Sequence, residues 1–368
     1  MPVTVISPEQ ALEMQASGHL LIDVREPDEW ASGIAEGAKP VSKGELQAQA
    51  CHHLASLDQP VVLICAGGKR SDACAAELSR QGYTNLFSVS GGTQAWIAAG
   101  LPVAPYRATD FDRRYARQMI LPNVGREGQQ KLIKARVLLV GAGGLGSPCA
   151  YYLAAAGVGH LILVDDDRVD LSNLQRQILH KNSNVGELKV TSAKSTLNDL
   201  NPSISVEVHA DRITEANINN YINNIDLVID GTDNFKARYA ISDACAQRGI
   251  PWVYGAVHRF EGQVSLFHAS VPESRGLCYR CLFPEPMNAV DAPNCTEAGV
   301  LGVAPGVVGV LQATEALKYL LGIGESLSGR LLHIDLLSMA VHDTVMSPDP
   351  DCPCCGPNEV QRCRAPSP

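Results

Sequence analysis

The sequence has no run of lysine or arginine, no unbroken apolar stretch of membrane-spanning length, and no internal repeat or low-complexity segment. Each absence removes a class of function. Affinity for a phosphate backbone is built from clustered positive charge, so 368 residues with net charge -9 and dispersed cations are not expected to bind nucleic acid. A membrane helix needs about 20 predominantly apolar residues. The most apolar segment, residues 298–311, is shorter and is broken by Pro305 and four glycines, so it reads as a buried element and no membrane partner is expected. The opening MPVTVISPEQ shows neither a basic start nor an apolar stretch before a small-residue cleavage site, so a cytoplasmic location is expected. What is present is 45% apolar residues with mixed charge, the composition of a soluble chain long enough for two or three domains. Twelve cysteines in such a chain point to metal binding or thiol chemistry rather than to disulfides.

Two α/β patterns follow one another. In residues 1–104, short apolar strands at 20–24, 61–65 and 86–89 alternate with helices, the first opened by Ser7, Pro8 and Gln10 as a capping box. The stretch LPVAPYRATDFD after residue 100 contains proline, lacks periodicity and reads as a linker. In residues 105–368, strands are expected at 136–140, 160–164, 205–208 and 226–229, with helices through Ala156 and over 190–200. Apolar runs alternating with helices imply a parallel, Rossmann-like sheet covered on both faces.

Gly141, Gly143, Gly144 and Gly146 lie in GAGGLG, between a strand and a helix. There the backbone approaches phosphates closely and the helix N-terminus supplies N–H donors. Asp165 to Asp167 close the next strand at about the spacing of a ribose-binding carboxylate. Nicotinamide, flavin and ATP enzymes all share this much. Ser172, Asn173, Arg176, Lys189, Asp233 and Asn234 add amide, cationic and carboxylate groups near the strand ends. Nucleotidyl transfer uses cations and a metal at a triphosphate, whereas hydride transfer needs neither.

Cys278-x-x-Cys281 and Cys352-x-x-Cys355 are two knuckles that together make a closed tetrahedral zinc site, with Cys354 an ambiguous neighbour. Cys295, in DAPNCTEAGV, stands ahead of an apolar helix-like run whose dipole would acidify it. Cys65 opens the loop CAGGKRS between a strand and a helix. Its glycines allow several N–H groups to face one sulfur, and Lys69, Arg70 and the helix N-terminus are expected to lower its pKa, as suits a persulfide carrier. Cys51, Cys74, Cys149, Cys245 and Cys363 read as structural or incidental.

The ordered runs RYARQMIL, GAGGLGS, LVDDDRVDLSNLQRQ, VGELKV, DGTDN, GQVSLF, CYRC and CTEAGV resemble the MoeB/ThiF family of sulfur-carrier adenylyltransferases, relatives of ubiquitin-activating enzymes, over about residues 110–357. The resemblance implies ATP and Mg2+ as cofactors, with Asp165 on the ribose, Asn173, Arg176 and Lys189 on the triphosphate, and Asp233 on the magnesium. It also implies a homodimer in which Arg117 reaches the neighbouring subunit's ATP. Cys295 matches a cysteine that bonds covalently to the carrier or a sulfur donor in some members and is dispensable in others. With DVRE at 23–26 and VSGGTQAW at 89–96, residues 1–104 resemble a rhodanese domain, in which GIAEGA at 33–38 replaces a stretch usually holding His and Pro. The domain order is unusual, since in better-known fusions the rhodanese follows the adenylating part. The function implied is adenylation of a small ubiquitin-like sulfur carrier ending in Gly-Gly, for molybdopterin, thiamine or another pathway, with sulfur supplied to Cys65 by a cysteine desulfurase or other persulfide donor. A nicotinamide oxidoreductase and a zinc-stabilised sulfur relay without adenylation are the alternatives.

Overall fold

The structure is a computed structural model that describes residues 3–27, 29–48, 50–106, 108–269, 276–284 and 299–356. The chain forms two compact units, residues 1–130 and 131–368.

In the first unit the strands are β1 (Thr4–Ile6), β2 (Leu20–Asp23), β3 (Ile34–Ala35), β4 (Lys39–Pro40), β5 (Val61–Ile64), β6 (Leu86–Val89) and β7 (Val103–Ala104). Five of them make an all-parallel sheet in the order β1-β6-β5-β2-β4. All four residues of β5 are buried, as a strand covered by helices on both faces requires. One core packs Leu63, Leu78 and Leu46 together, and a second gathers Trp96, Ile64 and Leu21. The helix Pro8–Ala16 begins with the expected capping box, Gln10 N–H donating to Ser7 Oγ at 3.3 Å and Ser7 N–H to Gln10 Oε1 at 2.9 Å.

The stretch read as a linker contains a strand and the start of a helix. β7 pairs antiparallel with β3, and Thr109 caps the helix Asp110–Met119. The cap is reciprocal, with Asp112 N–H donating to Thr109 Oγ1 at 3.1 Å and Thr109 N–H to Asp112 Oδ2 at 3.0 Å. An aspartate in place of the usual Glu or Gln at the third helical position hides the motif.

The second unit has β8 (Arg136–Val140), β9 (His160–Val164), β10 (Ser205–His209), β11 (Leu227–Asp230), β12 (Trp252–His258), β13 (Glu261–Phe267), β14 (Arg330–Asp335) and β15 (Ala340–Val345), in the order β10-β9-β8-β11-β12-β13-β14-β15. The first five are parallel and the last three antiparallel. The chain runs outward from β8 through β9 to β10 and then returns to place β11 on the other side of β8. The strand order reverses between β8 and β11, and ligands of such sheets bind in that crevice. The helix Gly146–Ala156 leaves the crevice, and the long helix Val303–Leu321 lies against it. A Cβ on Gly309 would stand 2.3 Å from the Leu145 carbonyl oxygen, so glycine is what allows this approach. The apolar segment around Pro305 thus supplies the start of a longer helix. Only one face of it is buried, since Val303 is 63% exposed. Among the described residues, no helix is long and apolar enough to cross a membrane.

Candidate active sites

The glycine loop sits at the crevice between β8 and β11. Gly141 N–H bonds the Val164 carbonyl at 2.8 Å and Gly231 N–H bonds the Val140 carbonyl at 2.7 Å, so the ends of β8, β9 and β11 are tied together. Gly141 has φ +96° and a Cβ there would stand 2.7 Å from the Gly231 oxygen, while one on Gly146 would stand 1.9 Å from the Gly141 oxygen. Gly143 and Gly144 complete the loop beneath Gln177 and Pro305.

Each acidic residue of the cluster after β9 has a partner. Asp165 accepts from the Ala142 and Asp167 amides, both at 2.8 Å. Asp167 accepts from Lys189 Nζ at 2.7 Å, and Lys189 is buried at the start of the helix Lys189–Leu200. Asp166 pairs with Arg212 at 3.0 Å; the arginine's pKa is pushed up mainly by that contact, with Asp167 and Asp233 adding to it. On the other side, Arg176 donates to Asn173 Oδ1 at 3.2 Å and to the Ser172 carbonyl at 3.3 Å, while Ser172 is held by Asp170. Asn234 caps the helix Phe235–Arg248 by accepting from Ala237 N–H at 2.9 Å, leaving exposed Asp233 in the loop after β11. That loop is anchored by fully buried Asp230. Its carboxylate accepts from Thr232 N–H at 2.8 Å and from Arg238 at 3.2 Å, and burial pushes its pKa up.

The structure therefore brings together the glycines, Asp165, Ser172, Asn173, Arg176, Lys189, Asp233 and Asn234. Arg117 is exposed on the helix Asp110–Met119 of the other compact unit. Two residues at the nucleotide crevice were missed by sequence reasoning. Arg212 follows the end of β10, a position its strand end could have revealed. Buried His180 belongs to no motif and lies between the two runs read as phosphate-binding.

At the second site Cys65 directly follows β5, with its sulfur accepting from Gly68 N–H at 3.2 Å, Ser71 N–H at 3.3 Å and Ser71 Oγ at 3.4 Å. Burial opposes ionisation of the thiol. The Ser71 hydroxyl and the amides of Ser71, Gly67 and Gly68 outweigh it, and the pKa falls below the ordinary cysteine value. Gly92 closes the cradle from behind at φ +58°, where a Cβ would lie 2.0 Å from the Cys65 carbonyl oxygen. Of the groups expected to lower the pKa, the loop amides make direct contact, and Arg70 interacts with the sulfur through its charge. Arg70 is also held by Glu29 through contacts of 2.5 and 2.6 Å, and the hydrogen-bond donors on the sulfur are amides and one hydroxyl. Arg25 is likewise structural, locking buried Asp23. In a pH titration, the thiolate absorbance lost in Cys65→Ser should rise with a midpoint below that of cysteine in an unstructured peptide. A midpoint at or above the peptide's would mean that the cradle does not stabilise the anion.

Residues 115–354 match the ThiF family and residues 7–99 match the rhodanese-like domain. This chain belongs to the ThiF family. It is 49% identical over 250 residues to the sulfur carrier protein adenylyltransferase of Thermus thermophilus, a match covering 68% of this chain and 92% of that one. It is 46% identical over 240 residues to the probable adenylyltransferase/sulfurtransferase MoeZ of Mycobacterium tuberculosis, covering 65% of this chain and 61% of MoeZ. Among solved structures, E. coli MccB superimposes with TM-score 0.58 at 20% identity, covering 75% of this chain and 84% of MccB, a likeness of fold.

This ThiF-family chain also assembles the four expected metal ligands. The sulfurs of Cys278, Cys281, Cys352 and Cys355 all lie within 4.8 Å of one another, with Cys278 to Cys352 at 3.5 Å and Cys281 to Cys355 at 3.3 Å. A tetrahedron with metal–sulfur bonds of about 2.3 Å has edges of roughly 3.8 Å, so a zinc ion fits with small adjustment. Contacts from Cys278 and Cys355 pull the Cys281 thiol down, contacts from Cys281 and Cys354 push Cys278 up, and contacts from Cys278 and Cys281 push Cys355 up, because adjacent anions repel without a cation. Cys354 stands outside this group of four and contacts Cys278. A Cβ on Gly356 would lie 2.6 Å from the Cys352 oxygen, so glycine is needed for the turn. Tyr279, between the ligands of the first knuckle, is fully buried against Trp252, Tyr254 and Phe267, which roots the cluster in the core. Cys295 lies outside the described residues.

Proposed function

We propose that this chain adenylates the C-terminal glycine of a small ubiquitin-like sulfur carrier ending in Gly-Gly and converts it to a thiocarboxylate with sulfur carried on Cys65. The observation that carries the reading is the convergence, at one sheet crevice, of a glycine loop with Lys189, Arg176, Asn173 and Asp233 in a ThiF-family chain. The loop amides and the helix N-terminus receive the phosphates, Asp165 faces the ribose, and Arg176 and Lys189 stabilise charge that develops as the carrier carboxylate attacks the α-phosphate of ATP and pyrophosphate leaves. Asp233 would hold a magnesium ion, which neutralises phosphate charge when bound. Arg117 is assigned to the ATP of a second copy, making the working form a homodimer, and zinc at the four cysteines is structural.

The persulfide of Cys65 then attacks the acyl carbon and displaces AMP, forming an acyl disulfide. A second thiol, for which Cys295 is the candidate, attacks the Cys65 sulfur and releases the thiocarboxylate, leaving a disulfide that a dithiol reductant, itself oxidised to a disulfide, returns to two thiols. The persulfide comes from a cysteine desulfurase or another persulfide donor. Residues 1–104 carry this sulfurtransferase step and residues 105–368 the adenylation.

Labelled pyrophosphate should exchange into ATP only when a cognate carrier is present, and deleting the carrier's last glycine should stop it. Exchange that proceeds equally without any carrier would overturn the substrate assignment. Silence with molybdopterin-type, thiamine-type and other Gly-Gly carriers, from protein that binds ATP, would overturn adenylation.

A further inference from the structure

Around the glycine loop, the hydrogen bonds close into a ring. Ala142 N–H donates to Asp165 Oδ2 at 2.8 Å, and Asp165 Oδ1 accepts from Asp167 N–H at 2.8 Å. Asp167 Oδ2 accepts from Lys189 Nζ at 2.7 Å. Lys189 opens the helix Lys189–Leu200, and Ser192, three residues on and therefore on the same helical face, meets His180 Nδ1 through its hydroxyl at 3.0 Å. His180 Nε2 returns to the Ala142 carbonyl at 2.9 Å. The N–H and the C=O of one loop residue are thus held from opposite directions, and the path between them passes through the triphosphate lysine.

The ring's chemistry fixes the imidazole's state. A carbonyl only accepts, so Nε2 carries the proton, and in the neutral ring Nδ1 then accepts from the Ser192 hydroxyl. Burial disfavours the charged form, and nearby Lys189 works in the same direction, while the Ala142 carbonyl and Asp165 oppose them. The segment has a second tie one turn further along the helix, where Thr196 Oγ1 donates to the Leu179 carbonyl at 3.0 Å. Ser147 Oγ, at 3.5 Å, is the other contact on the Ala142 oxygen.

We propose that His180 is a positioning residue for nucleotide use: as a neutral two-ended bridge it holds the phosphate-binding loop and the helix bearing Lys189 at one spacing. The proposal rests on the ATP-binding reading above. His180 reaches the nucleotide only through Ala142 and Lys189, so its effect falls on nucleotide affinity and not on the carrier. Preorganising donors in this way spares the ligand the cost of ordering them.

Two variants of similar polarity separate this role from mere packing. In His180→Gln the terminal amide reaches the place of Nε2 and keeps the donor to Ala142, losing Ser192. In His180→Asn the amide reaches the place of Nδ1, keeps Ser192 and releases Ala142. Titration calorimetry with Mg-ATP should show His180→Asn weakened by about tenfold, the size of one lost buried hydrogen bond, and His180→Gln by about threefold or less. Carrier KM should stay at the wild-type value in both. Wild-type affinity in both variants overturns the proposal, as does an equal loss in both that follows their melting temperatures. Wild-type protein that binds no Mg-ATP would instead sink the nucleotide reading itself.

Discussion

Replacing Cys65 by Ala is expected to lower sulfur transfer to the carrier by about a thousandfold or more while leaving carrier-dependent pyrophosphate exchange within about twofold of wild type. The first half follows from the cradle. The sulfur is the one atom on which the Gly68 amide, the Ser71 amide and the Ser71 hydroxyl converge, and no alternative thiol inherits them. Cys74, on the helix Lys69–Arg80 behind it, is fully buried and its pKa is pushed up to about 12, so it supplies almost no thiolate near neutrality. The second half follows from independence, because the hydrogen-bond donors to the Cys65 sulfur come from residues 67–71, while the glycine loop and its ring belong to the other compact unit. Single-turnover formation of carrier thiocarboxylate, followed by intact mass, measures the first quantity and radiolabel exchange the second. Loss of exchange in the variant would mean that the two chemistries are not divided between Cys65 and the glycine-loop site.

The other large effect is expected at the four-cysteine cluster. Metal analysis of purified protein should give about one zinc per chain. Either chelation or Cys281→Ser should lower the melting temperature of the second unit by on the order of 10 °C. A structural site contributes its binding energy to folding, and each kcal/mol is worth about 2–4 °C in a domain of this size. Exchange activity should survive at temperatures well below the new transition, because all four ligands come from protein and no coordination position is left for a substrate. A stoichiometric metal whose removal leaves melting unchanged would contradict the structural role. Loss of exchange in cold, folded, metal-free protein would make the ion part of the chemistry.

Residues that act through spacing along the chain were legible in the sequence. The glycine loop, the paired knuckles, the Ser7 cap and the apolar runs of β5, β8 and β9 each announce themselves within a few residues, because the physics that fixes them is local: φ above zero, tetrahedral ligation, an N-cap, a strand covered on both faces. Partners far apart in the sequence were not legible. The pairing of Arg70 with Glu29, 41 residues away, leaves no trace in the sequence until the chain has folded. His180 gives no motif because its two partners, Ala142 and Ser192, lie on either side of it at distances of 38 and 12 residues. Asp230, three residues before Asp233, gives no sign in the sequence that complete burial against Arg238 makes it the loop's anchor.

The sheet of the second unit also joins parts of the chain that lie far apart. Its parallel half is closed by successive crossovers, whereas β13 pairs with β14 across an intervening segment that includes the long helix Val303–Leu321. Cys278 lies within that segment, between β13 and β14, and Cys352 follows β15, 74 residues later. Closing a loop of that length carries an entropic cost that the pairing of β13, β14 and β15 already meets, so the sulfurs are brought together at little further cost. A metal held by them would act as a latch on the antiparallel half, tying the segment after β15 back to the segment after β13.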